Sequence, residues 1–228
     1  MMTGVIAEPA CWSSRPRPAR AAMDGRHARL EPLDPARHGE TLFAASMAPG
    51  SEDRFRHLFD VPMDRDGFQG WLERSAASSD PMFWAVIDKA TGRAEGRQAL
   101  MRIDAGHGVV EIGSILWGPA MARTRLATEA QFLFASHVFD DLGYRRLEWK
   151  CDDRNLASKR AASRFGFQFE GIFRQHMVVK GQNRDTAWFA ILDRDWPALK
   201  ARYLAWLDPA NFDDEGRQRQ RLQDIAPA

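Results

Sequence analysis

Arg123 and Arg125 stand just past a Gly118–Pro119 stop, at the head of a stretch with helical period. The unpaired N–H groups of a helix start attract an anion, and the planar fork of arginine bonds two phosphate oxygens at once. Thr124 and Thr128 add hydroxyl donors to the same turn. The chemistry implied is phosphate binding by side-chain charge, without the glycines that let a backbone wrap closely. The alternative is a pair of solvated arginines. A second group is Glu111, a carboxylate inside the apolar run VVEIGS. Burial favours the neutral carboxyl and moves such a group toward proton transfer near neutral pH, although strand alternation also allows it to face outward. A third is the spacing Asn155-x-x-Ser158, in which the amide caps a helix and the hydroxyl is free for chemistry or bonded to backbone.

Other reactive types read more plainly. His176 is a lone histidine on a strand, His107 falls in a turn and His137 on the long helix. No two histidines share metal-ligand spacing with a carboxylate, so no metal is expected. Cys151 ends an alternating strand and reads as a buried thiol, with no helix start or paired base to activate it.

The elements that hold these groups follow from periodicity. HARLEPL is a short strand, and Asp34 before Pro35 caps a helix with Leu42, Phe43 and Met47 on its apolar face. Phe68, Trp71 and Leu72 give a second helix. MFWAVID, EGRQALMRID and VVEIGSILW, joined by glycine turns, form an antiparallel meander. A helix of about twenty residues follows, ending at Gly143. In RRLEWKC, Leu147, Trp149 and Cys151 share one side, and Arg146, Glu148 and Lys150 share the other, which predicts one dry face. Strand, helix, strand makes that pair parallel, with a right-handed crossover. A short helix from Asn155 to Gly166 and a closing hairpin complete a mixed α/β sheet of about seven strands with helices on both faces. Residues 1–26 read as a loose Pro- and Arg-rich tail, 27–195 as the folded domain, and 196–228 as an amphipathic helix with a charged end.

The bulk numbers exclude some classes. The 228 residues carry 32 Lys and Arg against 31 Asp and Glu, a net charge of +1 that implies neither nucleic acid nor an anionic membrane as partner. The two cysteines are too few for a disulfide framework, and there is no apolar leader or span, so the expected place is the cytoplasm. Trp84, Trp117, Trp149 and Trp188 all fall in strands, as core residues or as the flat wall of an acceptor pocket.

The segments RTRLATEAQFLFASHVFDDLGYRRLEWKC, NLASKRAASRFGFQFEG and HMVVKGQNRDTAWFAIL, in this order, resemble the GNAT N-acetyltransferase superfamily. The nearest branch is the ribosomal-protein N-acetyltransferase (Rim-like) group, and the likeness extends over about residues 29 to 195. The resemblance implies acetyl-CoA as donor and a primary amine as acceptor, either a small amine or a protein N-terminus. It implies a splayed parallel strand pair admitting the pantetheine arm, with the pyrophosphate at the long helix's start. The family pattern Gln/Arg-x-x-Gly-x-Gly/Ala falls on Ala122 to Ala127; Ala127 keeps it, while Ala122 and Arg125 depart from it. By the same resemblance Glu111 is the general base, and Ser158 protonates the leaving thiolate because Ala162 stands where many members have tyrosine. Asn155 would contact the pantetheine, the N–H groups near Leu116 and Trp117 would polarise the carbonyl, and His176 and Trp84 would line the acceptor side. A non-catalytic acyl-CoA-binding module on the same fold is the rival reading, and a homodimer through the C-terminal helix stays open.

Overall fold

The Asp34 carboxylate accepts the amides of Ala36 and Arg37, with Pro35 opening the helix behind it, as the sequence predicts. Such local agreements set most boundaries in the computed structural model, which describes residues 12–226. In chain order the elements are β1 (Met23–Asp24), β2 (Ala28–Pro32), α1 (Pro35–Ser46), α2 (Ser51–Phe55), α3 (Arg65–Ala77), β3 (Met82–Asp88), β4 (Arg93–Asp104) and β5 (Val109–Trp117). Then come α4 (Arg125–Ser136), β6 (Arg146–Asp152), α5 (Leu156–Arg164), β7 (Gln168–Val179), β8 (Gln182–Leu192) and α6 (Trp196–Leu207). The sheet order is β1-β2-β3-β4-β5-β6-β8-β7. Eight strands replace the expected seven or so, because β1 is a two-residue edge piece too short to show a period. The five-residue helix α2 escapes periodicity for the same reason.

Each sheet face buries its own apolar cluster. On one face Leu30, Trp84, Leu100, Ile112, Leu147 and Trp149 pack with Phe134 of α4 and with Tyr203 and Trp206 of α6. On the other, Phe83, Ala85 and Ala99 pack with Leu42 of α1 and with Phe68 and Trp71 of α3. The long helix is α4 continued by a wider π-type turn over His137–Asp141, and it ends before Gly143, whose φ of 66° favours glycine. Helix α6 spends its apolar face on its own body: Trp196, Leu199, Tyr203 and Trp206 are buried, and the Tyr203 hydroxyl donates to the Phe165 carbonyl at 3.0 Å.

Two expectations about the ends change. Residues 12–24, read as loose, lie against the body: the Trp12 indole donates to the Gly106 carbonyl, Arg15 to Gly143, Arg17 to Ser79 and Arg20 to Ser78. These are arginine and indole donors meeting remote carbonyls, which leaves no periodic trace in sequence; residues 1–11 lie outside the described residues. In the charged end after Pro209, whose sequence suggests a loose chain, Phe212 packs edge-on against Trp206 at 5.1 Å and Leu222 is buried.

Glu129 of α4 is buried and accepts the amides of Arg26, His27 and Ala28 at 2.9, 2.5 and 2.6 Å. Glu129→Ala strands three donors and is expected to cost about 3 kcal/mol, read as a lowered denaturant midpoint. An unchanged midpoint would remove this clasp from the account of how β2 is docked.

Candidate active site

Strands β5 and β6 pair in parallel only over Val109–Glu111 against Arg146–Glu148. Beyond that point β5 stays bonded to β4 and β6 to β8, so Ile112–Trp117 and Trp149–Asp152 face each other across an unpaired gap. The register shift between β4 and β5 falls opposite Ser114, whose φ is 48°, a bulge that turns the strand where the gap opens. Of the two expected donors, the Trp117 amide therefore faces the gap, whereas Leu116, opposite Arg97 and two residues before the Gly118 amide that bonds Glu95, turns its amide to β4. On the α4 side the indole of Trp117 stands against Phe165 at 6.0 Å, and Phe165 against Trp149 at 6.2 Å. The Trp117 Nε1–H is buried without an acceptor among the described residues, an orphan donor that a carbonyl of an inserted chain would satisfy.

The turn into α4 begins at Gly118, where a Cβ would stand 2.9 Å from both the Glu95 carbonyl oxygen and Ala45 Cβ. The Gly118 carbonyl accepts the amides of Met121 and Ala122, both at 3.1 Å. Thr124 occupies the cap position, yet its hydroxyl donates back to the Met121 carbonyl at 2.6 Å and caps nothing. The first helical bond runs from the Thr128 amide to the Thr124 carbonyl, leaving the amides of Arg125, Leu126 and Ala127 without backbone acceptors. Ala127 is small and buried below them, and Thr128 is buried with its hydroxyl bonded to Thr124 and Arg164. The two arginines diverge. Arg123 is exposed and adopts φ 65°, so the left-handed position of this turn is Arg123 and not the expected glycine site, Arg125. The Arg125 guanidinium lies 4.5 Å over the Phe212 ring, turned toward the C-terminal segment.

Glu111 sits at the last paired rung of the parallel pair, 4% exposed, on the sheet face of α1 and α3. Its Oε2 is 2.6 Å from Arg102 Nη1 and 3.0 Å from Lys150 Nζ. Lys150 Nζ also reaches Glu148 at 2.6 Å and lies 3.9 Å over the Trp188 ring. The charged side of β6, expected in water, is thus covered. Alternation named the residues sharing that face, but opposite charges from β4 and β5 and an indole from β8 close it.

The remaining candidates separate. Asn155 caps α5 through the Ser158 amide at 3.0 Å, and the Ser158 hydroxyl accepts the Trp149 indole N–H at 2.9 Å. Cys151 is buried beside Ser158; burial pushes its thiol up, partly opposed by that hydroxyl. His176 bonds Thr186 at 2.9 Å and stands edge-on to Phe173 at 5.6 Å, on the same face as Trp188. Trp84 is fully buried, with its indole donated to the Ala21 carbonyl and its ring against Phe134, so it is a core residue and lines no open surface. Among the described residues no grouping of metal ligands occurs, and no helix is long and apolar enough to cross a membrane.

Sequence reasoning missed a set of polar residues around the wide end of the gap. Arg97 of β4 is buried, ion-paired to Asp60 at 2.6 Å and bonded to the Ser114 carbonyl at 3.0 Å. His57 Nδ1 lies 3.6 Å from the Asp152 carboxylate at the end of β6. Nothing local marks these residues, since their partners are remote in sequence. A depression of about 380 Å3 beside them is lined by Asp152, Asp153, Arg154, Asn183 and Asp185 among others. Burial alone would raise the Asp152 carboxyl, but the side-chain and backbone bonds from Arg154 outweigh it and bring the value from 3.8 to about 2. A depressed carboxylate stabilises above its unfolded value, and the contribution disappears as pH falls through the folded one. Discounted for the exposure of Arg154, it is worth about 1–2 kcal/mol. Asp152→Asn is expected to lower the urea midpoint at pH 6 and to lack the share of the wild-type loss between pH 4 and pH 2. Parallel curves for the two proteins would contradict it.

Strands β5 and β6 thus part beyond a bulge, with a bare helix start at the mouth of the gap. A family model described as Acetyltransferase (GNAT) domain matches residues 28–168, and the chain belongs to that family, whose reaction is acyl transfer from acetyl-CoA. Among solved structures, a GCN5-related N-acetyltransferase from Brucella melitensis is 60% identical with a TM-score of 0.92, covering 93% of this chain and 96% of that one. A structure described as a probable acetyltransferase of the GNAT family, from Chromobacterium violaceum ATCC 12472, is 46% identical with a TM-score of 0.77, covering 83% and 94%. The ribosomal-protein-S5-alanine acetyltransferase from Vibrio fischeri shares the fold, at 15% identity and a TM-score of 0.58, covering 77% and 98%. A search of curated proteins found no match.

Proposed function

We propose that this chain is an acetyl-CoA-dependent N-acetyltransferase that transfers the acetyl group to a primary amine by direct attack, with donor and acceptor bound together. The observation that carries the reading is the gap between β5 and β6, open from Ile112 and Trp149 onward and headed by the free amides of α4. Acetyl-CoA fits the residues present. The amides of Arg125, Leu126 and Ala127, with Arg123, Thr124 and Thr128 around them, hold the diphosphate at a helix start. Arg125 contributes once it leaves Phe212. Asn155 and the orphan indole N–H of Trp117 meet the pantetheine amides. The backbone amide of Trp117, next to Leu116, polarises the thioester carbonyl.

Ser158 supplies the proton for the departing thiolate: its oxygen accepts from the Trp149 indole, and its hydrogen turns from the neighbouring Cys151 sulfur to the sulfur of the donor. Glu111 places a carboxylate at the closed end of the gap, where its charge draws a cationic amine inward. His176, Phe173 and Trp188 form the wall on the acceptor side. The aspartates at the wide end favour an ammonium over a neutral or anionic acceptor.

The test is thiol release from acetyl-CoA with a panel of small primary amines and of peptides with free N-termini, alongside calorimetric titration of CoA. Release with at least one amine is expected. Tight CoA binding with no release from any amine would favour the non-catalytic module on the same fold.

A further inference from the structure

The stretch from Phe55, the last residue of α2, to the start of α3 is fastened at four points by residues from around the gap. The Lys180 ammonium donates to the Phe55 carbonyl at 2.8 Å. The Asp152 carboxylate faces His57 at 3.6 Å, Arg184 lies 5.1 Å over the Phe59 ring, and Arg97 grips Asp60 at 2.6 Å. Arg97 pairs with Leu116 of β5, whereas Asp152 ends β6. The stretch from His57 to Asp60 therefore bridges the two strands where they have parted, on the face opposite α4. His57 is the imidazole of that bridge. Its Nδ1 looks at Asp152, its Nε2 bonds to nothing among the described residues, and its side chain is 22% exposed.

We infer that His57, oriented by Asp152, is the group that takes the proton from the acceptor ammonium, an inference that rests on the acetyl-transfer reading above. The carboxylate at Nδ1 favours the tautomer with its hydrogen there, which leaves the Nε2 lone pair able to take a proton. The 3.6 Å separation closes to a hydrogen bond with a small movement of the segment, as catalytic contacts do when substrate binds. Glu111 is placed less well for this step, because the two cations on its Oε2 compete with an incoming ammonium and it lies at the closed end. The step balances. One ammonium proton passes to Nε2, and the freed lone pair bonds to the thioester carbonyl carbon. The C–S bond breaks with its electron pair on sulfur. A second amine hydrogen reaches sulfur through Ser158, and the third stays on the amide. The charged group facing His57 is Asp152 at the end of β6, itself paired with Arg154; Arg184, Lys180 and Arg97 hold the neighbouring Phe59, Phe55 and Asp60.

The experiment compares wild type with H57Q, H57A, D152N and E111Q by thiol release between pH 5.5 and 9, using the best amine of the panel. The expected results are a kcat/KM about 100-fold lower in H57Q, an acidic limb that vanishes with it, and an unchanged KM for acetyl-CoA. Added imidazole restores part of the rate of H57A, which a merely structural histidine would not allow. In the free protein, 15N spectra of the imidazole show the Nδ1–H tautomer in wild type and a mixture in D152N. H57Q within threefold of wild type, with its acidic limb intact, overturns the inference and leaves the transferase standing; the same limb lost in E111Q instead assigns the proton to Glu111. A wild type silent toward every amine overturns both.

Discussion

Thr124→Asp is expected to weaken CoA binding by about 100-fold while leaving the fold as stable as before. The two effects separate because they depend on the same charge with opposite signs. Thr124 holds the cap position of α4 without capping it, its hydroxyl turned back to the Met121 carbonyl. An aspartate there accepts the free amides of the first turn and suits the positive end of the helix, a gain of about 0.5–1 kcal/mol that offsets the lost hydroxyl bond. A diphosphate seeking those amides finds them occupied and meets a fixed negative charge. Two unit charges about 5 Å apart repel by about 3 kcal/mol at an effective dielectric near 20, which is roughly a hundredfold in Kd. Calorimetric titration with CoA reads the first effect and thermal denaturation the second. Acetyl-pantetheine, which lacks the diphosphate, is the control, and its binding should not change. If CoA affinity survives the substitution, the diphosphate does not rest at the start of α4, and the proposed orientation of the donor in the gap is wrong.

What could be read from sequence was what short-range chemistry decides. Asp34 before Pro35, Asn155 three residues before Ser158, and the glycines at 143 and 166 each announce a helix end within a few residues. The meander and the parallel crossover follow from counting strands and helices. What sequence withheld was coverage. The alternation in Arg146–Asp152 correctly assigns Glu148 and Lys150 to one side, but only the register of β5, β6 and β8 reveals that Glu111 and Trp188 share it and that the side is buried. Likewise VVEIGS suggests a buried carboxylate but says nothing of Arg102 or Lys150 on its oxygen. Trp84 shows the opposite limit: aromatic type alone does not distinguish a pocket wall from the core under α4. The segment carrying His57 and Asp60 has no period, and its contacts reach strands far along the chain.

A large stability loss is expected from Asp60→Ala, although Asp60 is the more exposed member of its pair. Side-chain exposures of 2% for Arg97 and 27% for Asp60 mean that removing the aspartate leaves a guanidinium in the interior. Burial already pushes the Arg97 pKa below its usual value against the pull of Asp60. The guanidinium also lies 4.2 Å over the Trp71 ring, which holds it in place. Breaking such a pair costs about 3–5 kcal/mol; with water reaching the Asp60 side, about 3 kcal/mol is expected, or a Tm lowered by about 6–12 °C for a chain of this length. Arg97→Met removes the charge together with its need for a partner and fills the slot between Trp71 and Phe83, so it should cost less, about 1–2 kcal/mol. The double variant should then be more stable than Asp60→Ala alone, a reversal that additive contributions cannot produce. Function should follow the other bond of Arg97. Its Nη1 holds the Ser114 carbonyl at the bulge, from which the amide of Trp117 takes its direction. Arg97→Met is therefore expected to lower kcat about tenfold with CoA affinity unchanged, because the carbonyl donor loses its aim while the helix start keeps the diphosphate. Equal losses in kcat and in CoA binding would mean that Arg97 supports the whole gap and not the bulge.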